Sequence, residues 1–222
     1  MQITLLQDAK PLRKDAERNR RRILDAAREL FARRGLGVTL NDIAHHAGVG
    51  VGTVYRRFPD KSQLIDDLFE ERVQELVALG EAALADPDPW HGLTTFLEHA
   101  SALQAEDRAL RDIVCGTPDG AERVGHIRDR LLPLGMQLVR RAQAEGRLRA
   151  DVSPTDMPVI QLMIGAIIDA SRDVEPELWR RYLALVIGGL AAEPGDAPPL
   201  SPGPLAPHQI DTVMSAARVP RP

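Results

Sequence analysis

The chain has 222 residues, a formal net charge of −4, 44% hydrophobic residues and only 4% aromatic residues. Leucine, alanine, isoleucine and valine must therefore fill one or two cores, which suits helix packing. No apolar run approaches the ~18 residues of a membrane span, and the amino terminus lacks a secretory signal pattern. The lone Cys115 cannot form an intrachain disulfide. These features predict a helical cytoplasmic protein and argue against membrane and secreted classes.

Charge is divided unevenly along the chain. Residues 1–61 carry 13 Lys and Arg against 7 Asp and Glu, a local charge of +6, and hold all three lysines. The remaining residues carry 15 cations against 25 anions, a local charge of −10. A basic segment joined to an acidic one is typical of a DNA-binding head on an acidic body.

Residues 1–14 are predicted to form a loosely held arm, and a first helix is predicted over about residues 15–34. Its apolar stripe consists of Ile23, Ala27, Leu30 and Phe31. Arginines crowd its amino-terminal half, where the helix dipole disfavours cations. A DNA phosphate beside this end would reverse that cost, so Arg20 and Arg21 are candidate phosphate ligands. The alternative is a solvated charged face.

The stretch from Thr39 to Lys61 has the pattern of two short helices joined by a glycine turn. Thr39 and Asp42 match a capping box at the start of the first helix, and Gly48 allows the positive φ of a turn. The second helix is predicted over about residues 50–58. Its small exposed residues and flanking cations indicate a helix-turn-helix whose second helix enters a major groove about 12 Å wide. An ordinary helical hairpin with a basic end is the alternative.

Chemistry divides the side chains of this motif between phosphates and bases. Thr39 can present its hydroxyl or its amide to a phosphate. The second helix of the motif, called the recognition helix, begins with Val51, Gly52 and Thr53. Their apolar and hydroxyl groups can meet thymine methyls and base edges. Arg56 and Arg57 are long enough to reach either a phosphate or a guanine.

The recognition helix is expected to be weak in isolation. Gly50 and Gly52 are both predicted to lie inside it, and glycine lowers intrinsic helix stability. Packing must therefore hold the helix, and truncation of Val54 is expected to unfold the head.

The frame of these residues resembles the tetracycline-repressor (TetR) family of bacterial transcription regulators over about residues 17–75. The matching positions are Ile23, Leu24, Ala26, Ala27, Leu30, Phe31, Gly35, Thr39, Ile43, Ala44, Ala47, Gly48, Val49, Gly52, Thr53, Val54, Tyr55, Phe58, Lys61 and Leu64. The resemblance implies an all-α fold with an N-terminal three-helix helix-turn-helix DNA-binding domain and a C-terminal helical ligand-binding and dimerisation domain. It also implies that Tyr55 and Lys61 contact phosphates.

Beyond the motif the chain has the pattern of further helices. They are predicted over about residues 60–85, 90–106, 108–115, 121–145, 154–171 and 176–192. The predicted domains are the DNA-binding head at 1–67, the regulatory and dimerisation body at 68–192, and a proline-rich tail at 193–222. The tail holds 8 of the 17 prolines, so it is expected to be irregular apart from one short docked helix.

The body should supply the subunit interface and the effector site. The helices at about 154–171 and 176–192 are strongly apolar, which suggests an interface, and in the family such a pair forms a four-helix bundle across a two-fold axis. A monomer core is the alternative. Candidate liners of an effector pocket, each of which is also compatible with a plain core or surface role, are Trp90, His99, Cys115, His126, Met136 and Gln161. No cofactor or metal site is expected.

The leading hypothesis is a ligand-responsive DNA-binding transcriptional regulator, expected to be a repressor. It would bind a pseudo-palindromic operator as a homodimer and be released by an unidentified small molecule. The alternative is a helical ligand- or partner-binding protein with an impaired head, which the two glycines and the acidic net charge support. DNA affinity that falls steeply with salt separates the two. An all-α enzyme is the third hypothesis, and the sequence has no motif that supports it, such as a phosphate loop or a nucleophile elbow.

Overall fold

The computed structural model describes residues 9–106, 120–192 and 198–216, and the regular structure of these residues is helical. The helices are α1 (Ala9–Arg34), α2 (Leu40–Ala47), α3 (Val51–Arg57), α4 (Lys61–Ala85), α5 (Pro89–Glu106), α6 (Gly120–Ala144), α7 (Asp156–Ser171), α8 (Leu178–Leu190) and α9 (Pro207–Ala216). The described residues also include a 3-10 turn at Gly35–Gly37 and an isolated antiparallel bridge between Leu148 and Ala191. The predicted all-α class is confirmed.

The first helix begins at Ala9, before the predicted start near residue 15. Pro11 lies in its first turn, where a missing amide removes no helical hydrogen bond. Part of the predicted arm is therefore helical, and the arginines expected near the helix start lie in its middle, where the dipole argument does not apply. The rest of the predicted arm, at 1–8, and the helix predicted at 108–115 lie outside the described residues.

Contacts divide the chain into two units, and α4 runs through both. Within the described part of the chain, the first unit, called the head, comprises residues 9–72. The second, called the body, comprises residues 73–106, 120–192 and 198–216. The functional boundary predicted between residues 67 and 68 remains a prediction, and it too falls inside α4.

The head is built from α1, α2, α3 and the first part of α4. Helix α1 packs on α2, and α2 packs on α3. Inward side chains that are almost completely buried include Ile23, Phe31, Ile43, Val54, Phe58, Leu64 and Leu68. Full burial of one such side chain contributes roughly 1.5–3 kcal/mol. Packing can therefore hold a recognition helix of only 7 residues.

The body has its own apolar core, formed mainly by α5, α6, α7 and α8. Its buried members include Leu93, Leu97, Leu138, Ile160, Ile164, Trp179 and Leu183. Helix α5 packs on α6 and α7, and α7 packs on α8. The short helix expected in the tail is present as α9, which docks on α7 and buries Ile210. None of the described helices combines the length and apolarity that a bilayer span requires.

A tight corner joins α4 to α5 inside the body. A Cβ added to Gly92 would lie 2.4 Å from the carbonyl oxygen of Ala83, so the two helices approach more closely there than a side chain permits. Arg141 of α6 donates hydrogen bonds to the carbonyl oxygens of Leu84 and Asp86. A cation therefore satisfies free carbonyls at the carboxyl end of α4.

Candidate nucleic-acid interface

A reciprocal capping box fixes the start of α2, as predicted. Thr39 Oγ1 accepts a hydrogen bond from the Asp42 amide at 3.1 Å. Asp42 Oδ2 in turn accepts from the Thr39 amide at 2.9 Å and from the Thr39 hydroxyl at 2.7 Å. These bonds, the hydroxyl bond foremost, lower the pKa of the Asp42 carboxyl. Both donors of Thr39 therefore have an acceptor already, and a phosphate contact would have to replace one of them.

Gly48 makes the predicted turn between α2 and α3. Its φ of 63° is left-handed, a conformation that glycine adopts without steric cost. Its amide donates to the carbonyl oxygens of Ala44 and His45. Arg22 of α1 closes the same helix end, because its Nη2 donates to the carbonyl oxygen of Ala47 at 2.7 Å. The angle between the two helices is thus fixed by backbone conformation and by a charged side chain.

Helix α3 presents an open face beside its buried one. Val54 and Phe58 are fully buried, which anchors the helix to the head. A Cβ added to Gly52 would meet no heavy atom within 4 Å. Gly50, predicted to lie inside the helix, is its N-cap in extended conformation, so its helix-propensity cost does not apply. The exposed residues of the helix are Val51, Gly52, Tyr55, Arg56 and Arg57, with Thr53 half-buried.

The two arginines of α1 predicted to contact phosphates lie in different surroundings. Arg20 Nη2 lies 3.1 Å from Asp67 Oδ2, and Arg20 Nη1 lies 2.6 Å from Glu71 Oε1. Only 19% of the Arg20 side chain is exposed. Arg21, by contrast, is exposed. Arg20 therefore joins α1 to α4 within the head, a placement at odds with its predicted phosphate contact, whereas Arg21 remains open to one.

Two more predicted DNA ligands lie at the junction of α3 and α4. Lys61 Nζ lies 5.6 Å from the centroid of the Phe31 ring and is partly buried. The Arg57 guanidinium carbon lies 5.5 Å from the centroid of the Phe58 ring. Such cation–π contacts orient a charged side chain without removing it from the surface. Lys61 is therefore held against α1, and Arg57 is held at the end of the recognition helix.

The effector-pocket candidates of the body differ in exposure. His99 and His126 are exposed, which makes them poor liners of an enclosed pocket. Trp90 packs against the body core and, like Met136, is half-buried. Cys115 lies outside the described residues. Trp90 and Met136 therefore remain predicted liners of an effector pocket, and the exposure of His99 and His126 argues against that role for them.

Gln161 belongs to a polar group between α5 and α7. Its Nε2 donates to the carbonyl oxygen of Leu97 at 3.2 Å, and its Oε1 accepts from Ser101 Oγ at 3.2 Å. The Ser101 side chain is completely buried. Sequence reasoning missed this serine, although a serine in a helix can donate to the carbonyl oxygen of the residue one turn before it.

In the described part of the chain, groups of three or more His, Cys, Asp and Glu that could hold a metal ion are absent.

Sequence reasoning also missed the carboxylates of α4 that face the basic helix α1. Glu71 Oε2 lies 2.7 Å from Arg28 Nη2, so Glu71 joins two arginines of α1, Arg20 and Arg28. The available signal was the spacing of Asp67 and Glu71, one turn apart on a face of α4. The partner helix follows only from the fold.

Comparisons with known sequences agree with this architecture. The family model of bacterial regulatory proteins, tetR family, matches residues 23–68, and the model of the transcriptional regulator SbtR-like C-terminal domain matches residues 88–192. HTH-type transcriptional regulators of Staphylococcus aureus are 48% identical to this chain over 54 residues. That match spans 24% of this chain and 29% of the length of those relatives.

Solved structures extend the similarity to most of the chain. The TetR transcription regulatory protein from Mycobacterium vanbaalenii is 32% identical with a TM-score of 0.64, and the match covers 82% of this chain and 99% of that one. SmeT, the repressor of the Stenotrophomonas maltophilia multidrug efflux pump SmeDEF, is 25% identical with a TM-score of 0.61, covering 84% and 97%. With a capped helix-turn-helix in the head and these matches, the chain belongs to the TetR family of DNA-binding transcriptional regulators.

Proposed function

We propose that this regulator is a repressor that binds a pseudo-palindromic operator as a homodimer and is released by a small molecule. The observation that carries the proposal is the open face of α3. That face combines an unobstructed backbone at Gly52 with the exposed side chains of Tyr55, Arg56 and Arg57, on a helix anchored by Val54 and Phe58. A rigid helix with a small exposed face suits the major groove.

Base reading is assigned to the first turn of α3. Val51 is 36% exposed and Thr53 is half-buried beside it. The amino-terminal residues of a recognition helix are those that contact base edges in this motif. A valine methyl and a threonine hydroxyl can meet a thymine methyl and a hydrogen-bonding base edge, and Gly52 lets the backbone come close.

Phosphate contact is assigned to the exposed groups around that turn. Tyr55 is 46% exposed, and Arg21, Arg56 and Arg57 are exposed as well. Lys61 is retained from the family resemblance, although it is partly buried. Cations spread around a groove-binding helix set register and supply salt-dependent affinity. Arg56 and Arg57 keep the alternative of a guanine contact.

A homodimer through α7 and α8 is supported by apolar surface on both helices. Met163, Tyr182 and Leu185 are 50%, 43% and 62% exposed. Cβ atoms added to Gly188 and Gly189 would meet nothing within 4 Å, so a second helix has room to approach. Exposed large apolar side chains on adjacent helices are typical of a protein interface. A two-fold dimer that reads two half-sites requires recognition helices about 34–36 Å apart.

Repression and release are supported by one relative and by the course of α4. SmeT, which shares this fold, is a repressor of an efflux pump. Helix α4 contains residues of both units and is therefore one covalent connection between them. A small molecule would release DNA only by binding two body conformations with different affinity. Trp90, Met136 and Gln161 are the body residues proposed to contact it.

The alternative of a helical binding protein with an impaired head loses one of its supports. Gly50 lies outside α3, so of the two glycines only Gly52 lowers the intrinsic stability of that helix.

A DNA operator as the target would also imply that the protein acts beside the chromosome, in the cytoplasm.

Selection from a pool of random DNA duplexes tests the operator proposal. The purified protein should enrich inverted repeats whose half-sites are related by two-fold symmetry, and light scattering should give twice the monomer mass. Enriched sequences that contain a single half-site, or a pool that stays random after several rounds, would contradict the proposal. Adding candidate small molecules to the selected complex then identifies releasing ligands.

A further inference from the structure

Asp67 of α4 lies between a part-buried arginine and a more exposed one. Its Oδ2 accepts hydrogen bonds from Arg20 Nη2 at 3.1 Å and from Arg20 Nε at 3.3 Å. The same oxygen lies 3.8 Å from Nη2 of Arg57, the last residue of the recognition helix. The carboxylate is thus shared by α1 and α3.

The two arginines differ in how firmly they are held. Arg20 is 19% exposed and forms direct hydrogen bonds, including one of 2.6 Å to Glu71. Arg57 is 52% exposed, and 3.8 Å is beyond hydrogen-bond length, so its attraction to Asp67 is coulombic only. An ion pair with one partner half-exposed and no hydrogen bond between the charges is weak and easily exchanged. Arg57 can therefore leave Asp67 while Arg20 stays.

We propose that Asp67 is an internal competitor of DNA, which holds Arg57 in the free protein and gives it up to a backbone phosphate in the complex. The proposal rests on the DNA binding proposed above. A phosphate offers Arg57 paired charge-assisted hydrogen bonds that Asp67 does not provide at this distance. Asp67 keeps Arg20 as partner after the exchange, so the exchange leaves no isolated carboxylate. The Phe58 ring, 5.5 Å from the Arg57 guanidinium carbon, steadies the arginine beside the recognition helix.

This competition lowers affinity for all DNA sequences alike, because phosphates carry no sequence information. Asp67→Asn keeps an oxygen that accepts from Arg20 but removes the charge that attracts Arg57. The variant should therefore bind a random-sequence duplex about two- to fivefold more tightly than the unmodified protein, the range expected for loss of one weak ion pair near the surface.

Glu71→Gln is the matched control. Like Asp67→Asn, it removes one negative charge from α4 and weakens an ion pair of Arg20, one turn further along the helix. Unlike Asp67→Asn, it leaves in place the carboxylate that lies 3.8 Å from Arg57. If the gain came from overall charge or from loosening Arg20, the two variants would behave alike. Their thermal unfolding, measured alongside, shows whether both remain folded.

A double-mutant cycle with Arg57→Gln completes the test, measured by fluorescence anisotropy on the full-length protein with a labelled random-sequence duplex at several salt concentrations. Arg57→Gln should weaken binding and reduce the salt slope by about one, because one phosphate is no longer neutralised. In that background Asp67→Asn should have no further effect beyond that of Glu71→Gln. An equal gain from Asp67→Asn with and without Arg57, or weaker binding by Asp67→Asn alone, would overturn the proposal.

The same titrations distinguish failure of the proposed DNA binding from failure of the proposed competition. If the unmodified protein fails to bind DNA in a salt-dependent way, both the proposed function and this inference are wrong. If it binds but the cycle shows no coupling between Asp67 and Arg57, only the competition is wrong.

Discussion

Arg22 Nη2 donates to the carbonyl oxygen of Ala47 at 2.7 Å, so a side chain of α1 closes the carboxyl end of α2. Its two predecessors have different surroundings: Arg20 is bound to carboxylates of α4, and Arg21 is exposed. Consecutive side chains on a helix point in different directions. The three arginines therefore do not act as one basic patch: Arg20 and Arg22 are engaged within the head, and Arg21 is the one that we propose to meet DNA.

Arg22→Ala and Arg21→Ala should separate stability from DNA binding. Loss of the charged donor at the end of α2 should lower the free energy of unfolding of the head by about 1–2 kcal/mol. Arg21→Ala should leave that free energy unchanged and weaken binding to every DNA sequence, with a smaller salt slope. Urea unfolding and anisotropy titrations measure the two effects. Equal stability losses in both variants would mean that Arg21 is also structural.

Gly52→Ala should stabilise the head and lower its affinity for the operator. Its added Cβ meets open space, so the helix should gain about 0.5–1 kcal/mol. The same methyl group would stand on the face proposed to approach the bases, and operator affinity should fall. Gly135→Ala is the control, because it lies in α6 with equally open space and should change only stability. Unchanged operator affinity of Gly52→Ala would remove this face from the interface.

Thr53→Ala and Tyr55→Ala should differ in kind rather than in size. Thr53, in the first turn of α3, is assigned to base edges, so its truncation should alter preference among operator variants. Tyr55 is assigned to a phosphate, so its truncation should weaken binding to all sequences alike and lower the salt slope. Competition titrations with single-base operator variants give the readout. A uniform loss with Thr53→Ala would move that residue to the phosphate group.

The local parts of this interface could be predicted from the sequence. The capping box of Thr39 and Asp42 and the left-handed turn at Gly48 depend on residues within a few positions of each other, and both are confirmed. The pairing of Arg20 with Asp67 could not be predicted, because it joins positions 47 residues apart that only the packed fold brings together. The helix start at Ala9 could not be predicted either. Pro11 is compatible with a helix only in its first turn, and the sequence alone does not show that the helix begins two residues earlier.

Leu185→Asp should disrupt the proposed homodimer. The side chain is 62% exposed on α8, and dimerisation through this surface would have to bury a carboxylate there, which is costly. Val174→Asp is the matched control: Val174 is 88% exposed, but it lies between α7 and α8 rather than on either helix. Sedimentation velocity should show a monomer for the first variant and a dimer for the second. A dimer in both would place the interface elsewhere.

The pair of His91 and Asp86 should make the body more stable at mildly acidic pH. His91 Nδ1 lies 2.7 Å from Asp86 Oδ2, and this hydrogen bond, with the charges of Asp86, Asp88 and Glu98, raises the pKa of His91. A raised folded-state pKa gives stability that is complete below the unfolded value of about 6.5 and lost as pH rises through the folded value.

The difference in melting temperature between the unmodified protein and His91→Gln should therefore be largest below about pH 6 and vanish in alkaline solution. His99→Gln, which removes another exposed histidine of α5, is the control. A difference that does not change with pH would show that His91 acts through packing alone.

The central claim, that the open face of α3 reads DNA, is tested most directly by fluorescence-anisotropy titration against the DNA upstream of the protein's own gene. We expect saturable binding that weakens steeply with salt and survives excess non-specific DNA, and we expect Thr53→Ala to lose the preference for that DNA. Binding to this DNA that is no tighter than binding to random DNA, together with a selection from random duplexes that enriches no sequence, would contradict it.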